Sequence, residues 1–342
     1  MTSGKIVNRI LRLLWVTRRP VVWAFDGYGD ADNVIVQGYV LRLSPLERKT
    51  YRQNWVINLF SLVRLFVVAP KKNARVLIEW NGEIHEQETD QHGFFKFEWK
   101  PVNPVTAGWQ EARVSYVSRE PTPVVLAKNT CSVFIPHTYQ YSFISDIDDT
   151  FLISHSASIF KRLYVLFTKN ARSRKPFEGV VNHYRLLSHS AAPEGMPNPF
   201  FYVSSSEWNL YYYIREFCRV QQMPRGILLL SNMKRLHQLL NTGQGRHSTK
   251  YMRIARILKA YPDHQYVLLG DNSQKDPEIY QAIARDFPNR IFAVYIRNIR
   301  KRNEDKTRQM LNTIISMGVK CCLFDRSSEA IQHSTDIGLI KN

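Results

Sequence analysis

After Pro136 the chain alternates between two periods, and that alternation limits the folds open to it. Short apolar runs recur at 140–145, 200–204, 226–230, 265–270, 291–296 and 321–324. Between them lie segments of helical spacing at 208–222, 249–260, 277–287, 306–317 and 328–337. Runs this short and apolar read as buried strands, and a helix between two strands carries the chain back to the edge where the next strand begins. Strand and helix in alternation predict an α/β fold with a doubly wound parallel sheet over 139–342. In such a sheet the carboxyl ends of the strands open onto the ligand crevice, so the polar residues that end these runs are the first candidates for a site.

The preceding stretch has another rhythm. From 21 to 136 the pattern is mostly of period two and rich in turns, with strand candidates at 34–40, 75–80, 94–99, 114–117 and 124–126. Phe95, Phe97 and Trp99 alternate with Lys96 and Glu98, and Asn81-Gly82 and His92-Gly93 are turn signals. A small antiparallel, sandwich-like β-rich domain is expected here, preceding the larger domain. Gly27-Tyr28-Gly29 reads as a loop, since it lacks the strand and helix of a dinucleotide site. Residues 54–68 are apolar at helical spacing between Arg48, Lys49, Arg52 and Lys71, Lys72. That stripe is either a helix covering the sandwich or one lying on a membrane. With 342 residues and 44% hydrophobic content, two domains with sizeable cores are expected.

The formal charge of +18 predicts attraction to an anionic partner. Residues 1–140 contribute +6 and residues 141–342 contribute +12, so the excess leans towards the α/β half. No nucleic-acid-binding module is recognisable, which argues against nucleic acid as the partner. Residues 1–20 form a basic amphipathic segment in which Ile6, Ile10, Leu13 and Leu14 alternate with Lys5, Arg9, Arg12, Arg18 and Arg19. Its apolar part is too short and too broken by arginine for a signal peptide or a transmembrane span; it is a surface helix on its own domain or a helix on an anionic membrane. The four cysteines have no zinc or CxxC spacing and suit a reducing compartment. The expectation is a cytoplasmic protein, peripheral to a membrane.

The first apolar run ends in three carboxylates within four positions, Asp146, Asp148 and Asp149. Charge at the end of a buried strand is unfavourable unless a cation sits there. A calcium loop does not fit, because Thr150 and Phe151 occupy positions that would need an oxygen ligand and a glycine. Other runs end in kind: Phe200 to Ser204 in a hydroxyl, and Tyr266 to Asp271 in a carboxylate, with Asp276 five residues on. Ser248-Thr249-Lys250 opens a helix, placing Lys250 on the same edge. Ser204 could instead cap the helix at Trp208, and Asp276 before Pro277 has the form of a helix N-cap. Arg297 ends another strand on that edge and serves either substrate or structure. Between the first two strands, 154–177 carries an apolar run and then Lys169, Arg172, Arg174 and Lys175. It reads as a basic, apolar lid over the site or as an ordinary helix with a solvated basic face.

Asp-x-Asp-x-Thr, a strand-end serine, a helix-start lysine and Gly-Asp-x4-Asp, in that order, resemble the four motifs of the haloacid dehalogenase superfamily of phosphotransferases. The strings at 145–150, 202–211 and 270–280 resemble the catalytic domain of the actin-patch-associated phosphatidate phosphatase family, with Glu207 and Asn272 where small residues or proline are expected. The resemblance implies a haloacid-dehalogenase-like fold and a Mg2+-dependent phosphatase. It implies Asp146 as the nucleophile that forms an aspartyl-phosphate and Asp148 as general acid and base. It further implies Mg2+ held by Asp146, the backbone carbonyl of Asp148, Asp271 and Asp276, with Asp276 orienting its waters, and phosphate bound by Ser204, Lys250 and Thr150. The implied substrate is a phosphomonoester, phosphatidate at an anionic phospholipid surface. Two rivals stay open: a phosphatase of the same fold on a soluble metabolite or phosphoprotein, and a non-catalytic membrane or cytoskeletal adaptor.

Overall fold

In a computed structural model of the protein, residues 16–45, 64–137, 141–147, 179–190, 196–233 and 246–340 are described. The expected segments at 1–20, 54–68 and 154–177 fall wholly or mainly outside them, as do Asp148 and Thr150. Of the described residues, 16–135 and Met233 belong to one compact unit and the rest to another.

The first unit is β-rich. Its strands are β1 (Val16–Thr17), β2 (Val21–Ala24), β3 (Gly27–Gly29), β4 (Val34–Pro45), β5 (Ala69–Pro70), β6 (Arg75–Trp80), β7 (Glu83–Glu88), β8 (Phe94–Trp99), β9 (Gly108–Val117) and β10 (Val125–Ile135). The long β4 pairs with β8 over residues 34–39 and with β2 over 38–41, so it joins the sheet's parts. The period-two pattern explains the core: Val76, Ile78 and Trp80 of β6 and Phe95 and Phe97 of β8 are buried with Val36, Val114 and Val133.

Two expectations change here. Gly27-Tyr28-Gly29 is a strand, not a loop, and it pairs parallel to β10 through Val133 and Phe134, so the domain is not purely antiparallel. A Cβ on Gly27 would lie 2.4 Å from the Ile35 carbonyl oxygen and one on Gly29 2.3 Å from that of Asn33. The glycines therefore mark close backbone approach rather than a turn. Within 54–68, Arg64–Phe66 form one turn of 3-10 helix.

The second unit holds β11 (Tyr141–Asp146), β12 (Phe200–Glu207), β13 (Gly226–Ser231), β14 (Gln265–Asp271), β15 (Ile291–Arg297) and β16 (Lys320–Phe324). All neighbouring pairs are parallel, in the order β13-β12-β11-β14-β15-β16. The helices are α1 (Val180–Ser188), α2 (Tyr211–Val220), α3 (Arg246–Ala260), α4 (Asp276–Asp286), α5 (Glu304–Ser316) and α6 (Ser327–Asp336). The first strand in sequence thus lies inside the sheet, with later strands added on both sides, and the order reverses at β11. Such a reversal leaves a crevice at the carboxyl ends of the strands beside it. Phe143, Ile144, Val267 and Leu268 are wholly buried, as expected of strands covered on both faces. Among the described residues no helix is long and apolar enough to cross a membrane.

Candidate active site

Strand register brings the first two carboxylates together. Ser145 pairs with Leu269, so Asp146, the last residue of β11, stands beside the end of β14, where Asp271 is the last residue. Both are buried. Asp271 Oδ1 accepts a 2.6 Å hydrogen bond from the Ser273 amide, which turns the chain sharply away from the strand. Five residues on, Asp276 opens α4, and one carboxylate oxygen faces the Asp271 amide at 3.3 Å. The other accepts from the Lys250 ammonium. Asp276 therefore does not cap α4: its carboxylate is turned into the site, and Pro277 in the first turn supplies the helix start.

Gly270 makes this arrangement possible. A Cβ there would lie 2.6 Å from Asp276 Oδ2 and 2.9 Å from the Tyr280 ring, so only glycine lets the Asp276 carboxylate lie against the strand.

Lys250, on α3, reaches Asp146 Oδ1 at 3.2 Å as well as Asp276. Its side chain is 7% exposed and those of its partners 0% and 1%. Oxygens of Asp146, Asp271 and Asp276 lie within 4.8 Å of one another. Three carboxylates against one ammonium leave two negative charges in a buried place, and desolvation makes such an excess expensive without a counter-charge. The donors are all hard oxygens, and an octahedral ion with ligands at about 2.1 Å needs them roughly 3 to 4.2 Å apart. Three hard oxygens gathered this closely suit, by their chemistry, one divalent cation of that kind.

Burial raises the Tyr184 and Tyr280 phenols well above their usual range, and the Asp146, Asp271 and, at Tyr280, Asp276 charges add to it. Both therefore stay protonated. Tyr280 donates to the Leu269 carbonyl at 2.9 Å, and Tyr184 shares a 2.8 Å hydrogen bond with Ser145 Oγ, beside Asp146.

Ser204 is fully buried within β12, three residues before its end and one past Val203, which pairs with Asp146. Its Oγ accepts from the Ser206 amide at 2.9 Å, so this hydroxyl shapes the strand end rather than the helix at Trp208. Arg253, one turn after Lys250, donates to the Ser204 carbonyl at 2.7 Å and to Ser231 Oγ at 2.9 Å. Sequence reasoning missed it, although spacing of three along α3 put it on the Lys250 face. Arg297 is spent on structure: it donates to the Asp325 carbonyl at 3.1 Å and Ser327 Oγ at 2.7 Å and stacks on Phe324.

Comparison with known proteins follows the same residues. Residues 141–298 match the family model described as phosphatidate phosphatase APP1, catalytic domain. This segment is similar to the APP1 catalytic domains. The matched segment contains Asp146, Ser204, Lys250, Asp271 and Asp276. Over 165 residues the chain is 30% identical to phosphatidate phosphatase APP1 of Saccharomyces cerevisiae, covering 46% of this chain and 26% of that protein. An uncharacterised protein of Schizosaccharomyces pombe is 26% identical over 161 residues, 46% of this chain and 25% of its own. The match thus spans about a quarter of the length of either relative. Among solved structures, a carbohydrate acetylesterase of Xanthomonas citri aligns with 92% of this chain and 70% of its own at 8% identity and a TM-score of 0.35, a likeness too slight to bear on fold or function.

Proposed function

We propose that the second unit is a haloacid-dehalogenase-like, Mg2+-dependent phosphatase that hydrolyses a phosphomonoester, phosphatidate to diacylglycerol and phosphate, at an anionic membrane surface. The observation that carries this reading is the convergence of Asp146, Asp271, Asp276 and Lys250, all buried, on one edge of a parallel sheet. A buried carboxylate excess aimed into a crevice suits a cation and the dianionic phosphate it would escort. The match to APP1 catalytic domains supports phosphatidate as the substrate.

Asp146, Asp271 and Asp276 would hold Mg2+, together with the Asp148 backbone carbonyl. When bound, the ion supplies positive charge that offsets the carboxylates and the phosphoryl oxygens. Asp146 attacks phosphorus, the bond from phosphorus to the glyceryl oxygen breaks, and an aspartyl-phosphate forms on its carboxylate. Asp148 gives its proton to the departing alkoxide, then takes one from the water that cleaves the aspartyl-phosphate, returning Asp146 and phosphate. Lys250 steadies Asp146 and Asp276 and offers positive charge to the transferring group. Ser204 and Thr150 would donate to the phosphoryl oxygens.

The test is phosphate release from phosphatidate in mixed micelles, with magnesium and with a chelator. Wild type releases phosphate only with magnesium, and Asp146→Asn loses activity by on the order of 10³-fold or more. An active Asp146→Asn variant overturns the mechanism. Release from a soluble phosphomonoester but not from phosphatidate overturns the lipid substrate.

A further inference from the structure

A second polar structure stands on the rim of this site, and the proposed hydrolysis does not use it. Asn272 follows Asp271 and is 1% exposed. Its Nδ2 donates to Asn298 Oδ1 at 2.7 Å and to the Arg300 carbonyl at 3.1 Å, while its Oδ1 accepts from the Arg300 amide at 2.8 Å. Its own carbonyl accepts from Asn303 Nδ2 at 2.6 Å, and Asn298 Nδ2 donates to Glu304 at 2.6 Å. One buried amide thus pins the loop from β15 to α5 onto the loop that begins at Asp271. Such a network fixes a backbone at the cost of desolvating many polar groups, and it pays only where every group is satisfied.

The pinned loop carries Arg300, Lys301 and Arg302, which are charged differently in effect. Lys301 is held by Asp325 at 2.9 Å and Glu304 at 3.4 Å. Arg300, Arg302 and the exposed Lys275, which immediately precedes Asp276, form no ion pair among the described residues. Three uncompensated cations therefore flank the loops that carry Asp271 and Asp276, two of them on a backbone held rigid by Asn272. Guanidinium groups match phosphate oxygens in bidentate geometry and are more weakly hydrated than ammonium groups.

We propose that Arg300 and Arg302 form an anion-binding rim that takes the phosphate of a neighbouring anionic phospholipid, docking the crevice on the membrane while a different headgroup enters it. The inference rests on the reading of this edge as a phosphatase acting at a lipid surface. Both arginines lie beyond the residues that match the APP1 catalytic domain, so the family match assigns them nothing.

The full chain is sedimented with phosphatidylcholine vesicles, with and without phosphatidylglycerol and without any phosphomonoester lipid. Wild type binds the anionic vesicles, and the binding weakens with salt. At about 5-fold per arginine near such a surface, Arg300→Gln with Arg302→Gln lowers the affinity roughly 25-fold. Lys301→Gln removes the same formal charge as either arginine substitution alone, for which about 5-fold is expected, yet changes the affinity less than about 2-fold, because Asp325 and Glu304 already compensate the ammonium. Equal losses per charge removed mean net charge alone acts, and overturn the rim. So does an unchanged double variant, or displacement of wild type by millimolar inorganic phosphate, which would mark a site for the free anion. Thermal unfolding of each variant separates loss of binding from loss of fold. Failure to hydrolyse phosphatidate would overturn the proposed catalysis and leave this binding result standing.

Discussion

Both units carry exposed ion pairs, and one buried charge cluster sets the second apart. In the first, Lys100 meets Asp32 with side chains 70% and 78% exposed, and Arg119 meets Glu88 at 63% and 56%. In the second, Lys250 meets Asp146 and Asp276 where hardly any surface is left to water. Exposed pairs are screened and contribute about 0–1 kcal/mol, whereas removing one partner of a buried pair strands the other at roughly 3–5 kcal/mol. The lesson is that exposed pairs stud both units, and the second adds one buried cluster where a ligand can return the desolvation energy.

Lys250→Met puts that contrast to its hardest test. With a chelator present, it leaves Asp146 and Asp276 facing each other without the ammonium, and urea unfolding should show a loss of about 3–5 kcal/mol. A loss below 1 kcal/mol would erase the difference between the units. Gly270→Ala comes next. Its Cβ meets the Asp276 carboxylate, so stability falls by about 1–3 kcal/mol and phosphate release falls with it; a fully active variant would show that the carboxylate is free to sit elsewhere.

The α/β unit also buries a histidine, which the β unit does not do among the described residues. Burial first, then the Arg297 and His333 charges, bring His183 down to about 3. It shares a 2.9 Å hydrogen bond with Ser334 Oγ. The unfolded chain binds its proton first, so stability is complete above about pH 6.5 and falls by up to about 1.4 kcal/mol per unit as pH drops towards 3. His183→Gln should flatten that slope in urea titrations between pH 7 and 4. The smallest effect is expected from Arg119→Ala in the first unit, below about 1 kcal/mol and shrinking further with salt.

Much of the sheet was legible because its strands are covered on both faces and read as plain apolar runs; each observed strand lies within a few residues of its expected span. Side-chain direction was less legible. Pro277 marked the start of a helix correctly, yet the same signal suggested a capping role for Asp276, because a cap and an inward-turned carboxylate share one sequence. The α1 helix went unread although Val180, Tyr184 and Leu187 have helical spacing, since the basic run before it dominated that stretch. Asn272 looked like a mere departure from a family pattern; its role depends on Asn298, Arg300 and Asn303, which only the register of β14 beside β15 brings near. Asp146, Asp271, Asp276 and Lys250 were found from strand ends and motif order, and their mutual contact is what the structure adds.

The position of β11 inside the sheet has a consequence for the chain as it is made. Its neighbours β12 and β14 both come later, and Lys250, Asp271 and Asp276 emerge from the ribosome well after Asp146. A nascent chain, or one cut short before Asp276, holds an aspartate with no cage around it. On the proposed mechanism the unit would not hold a cation or attack a phosphate until the last of these partners is synthesised, so incomplete copies would be inert.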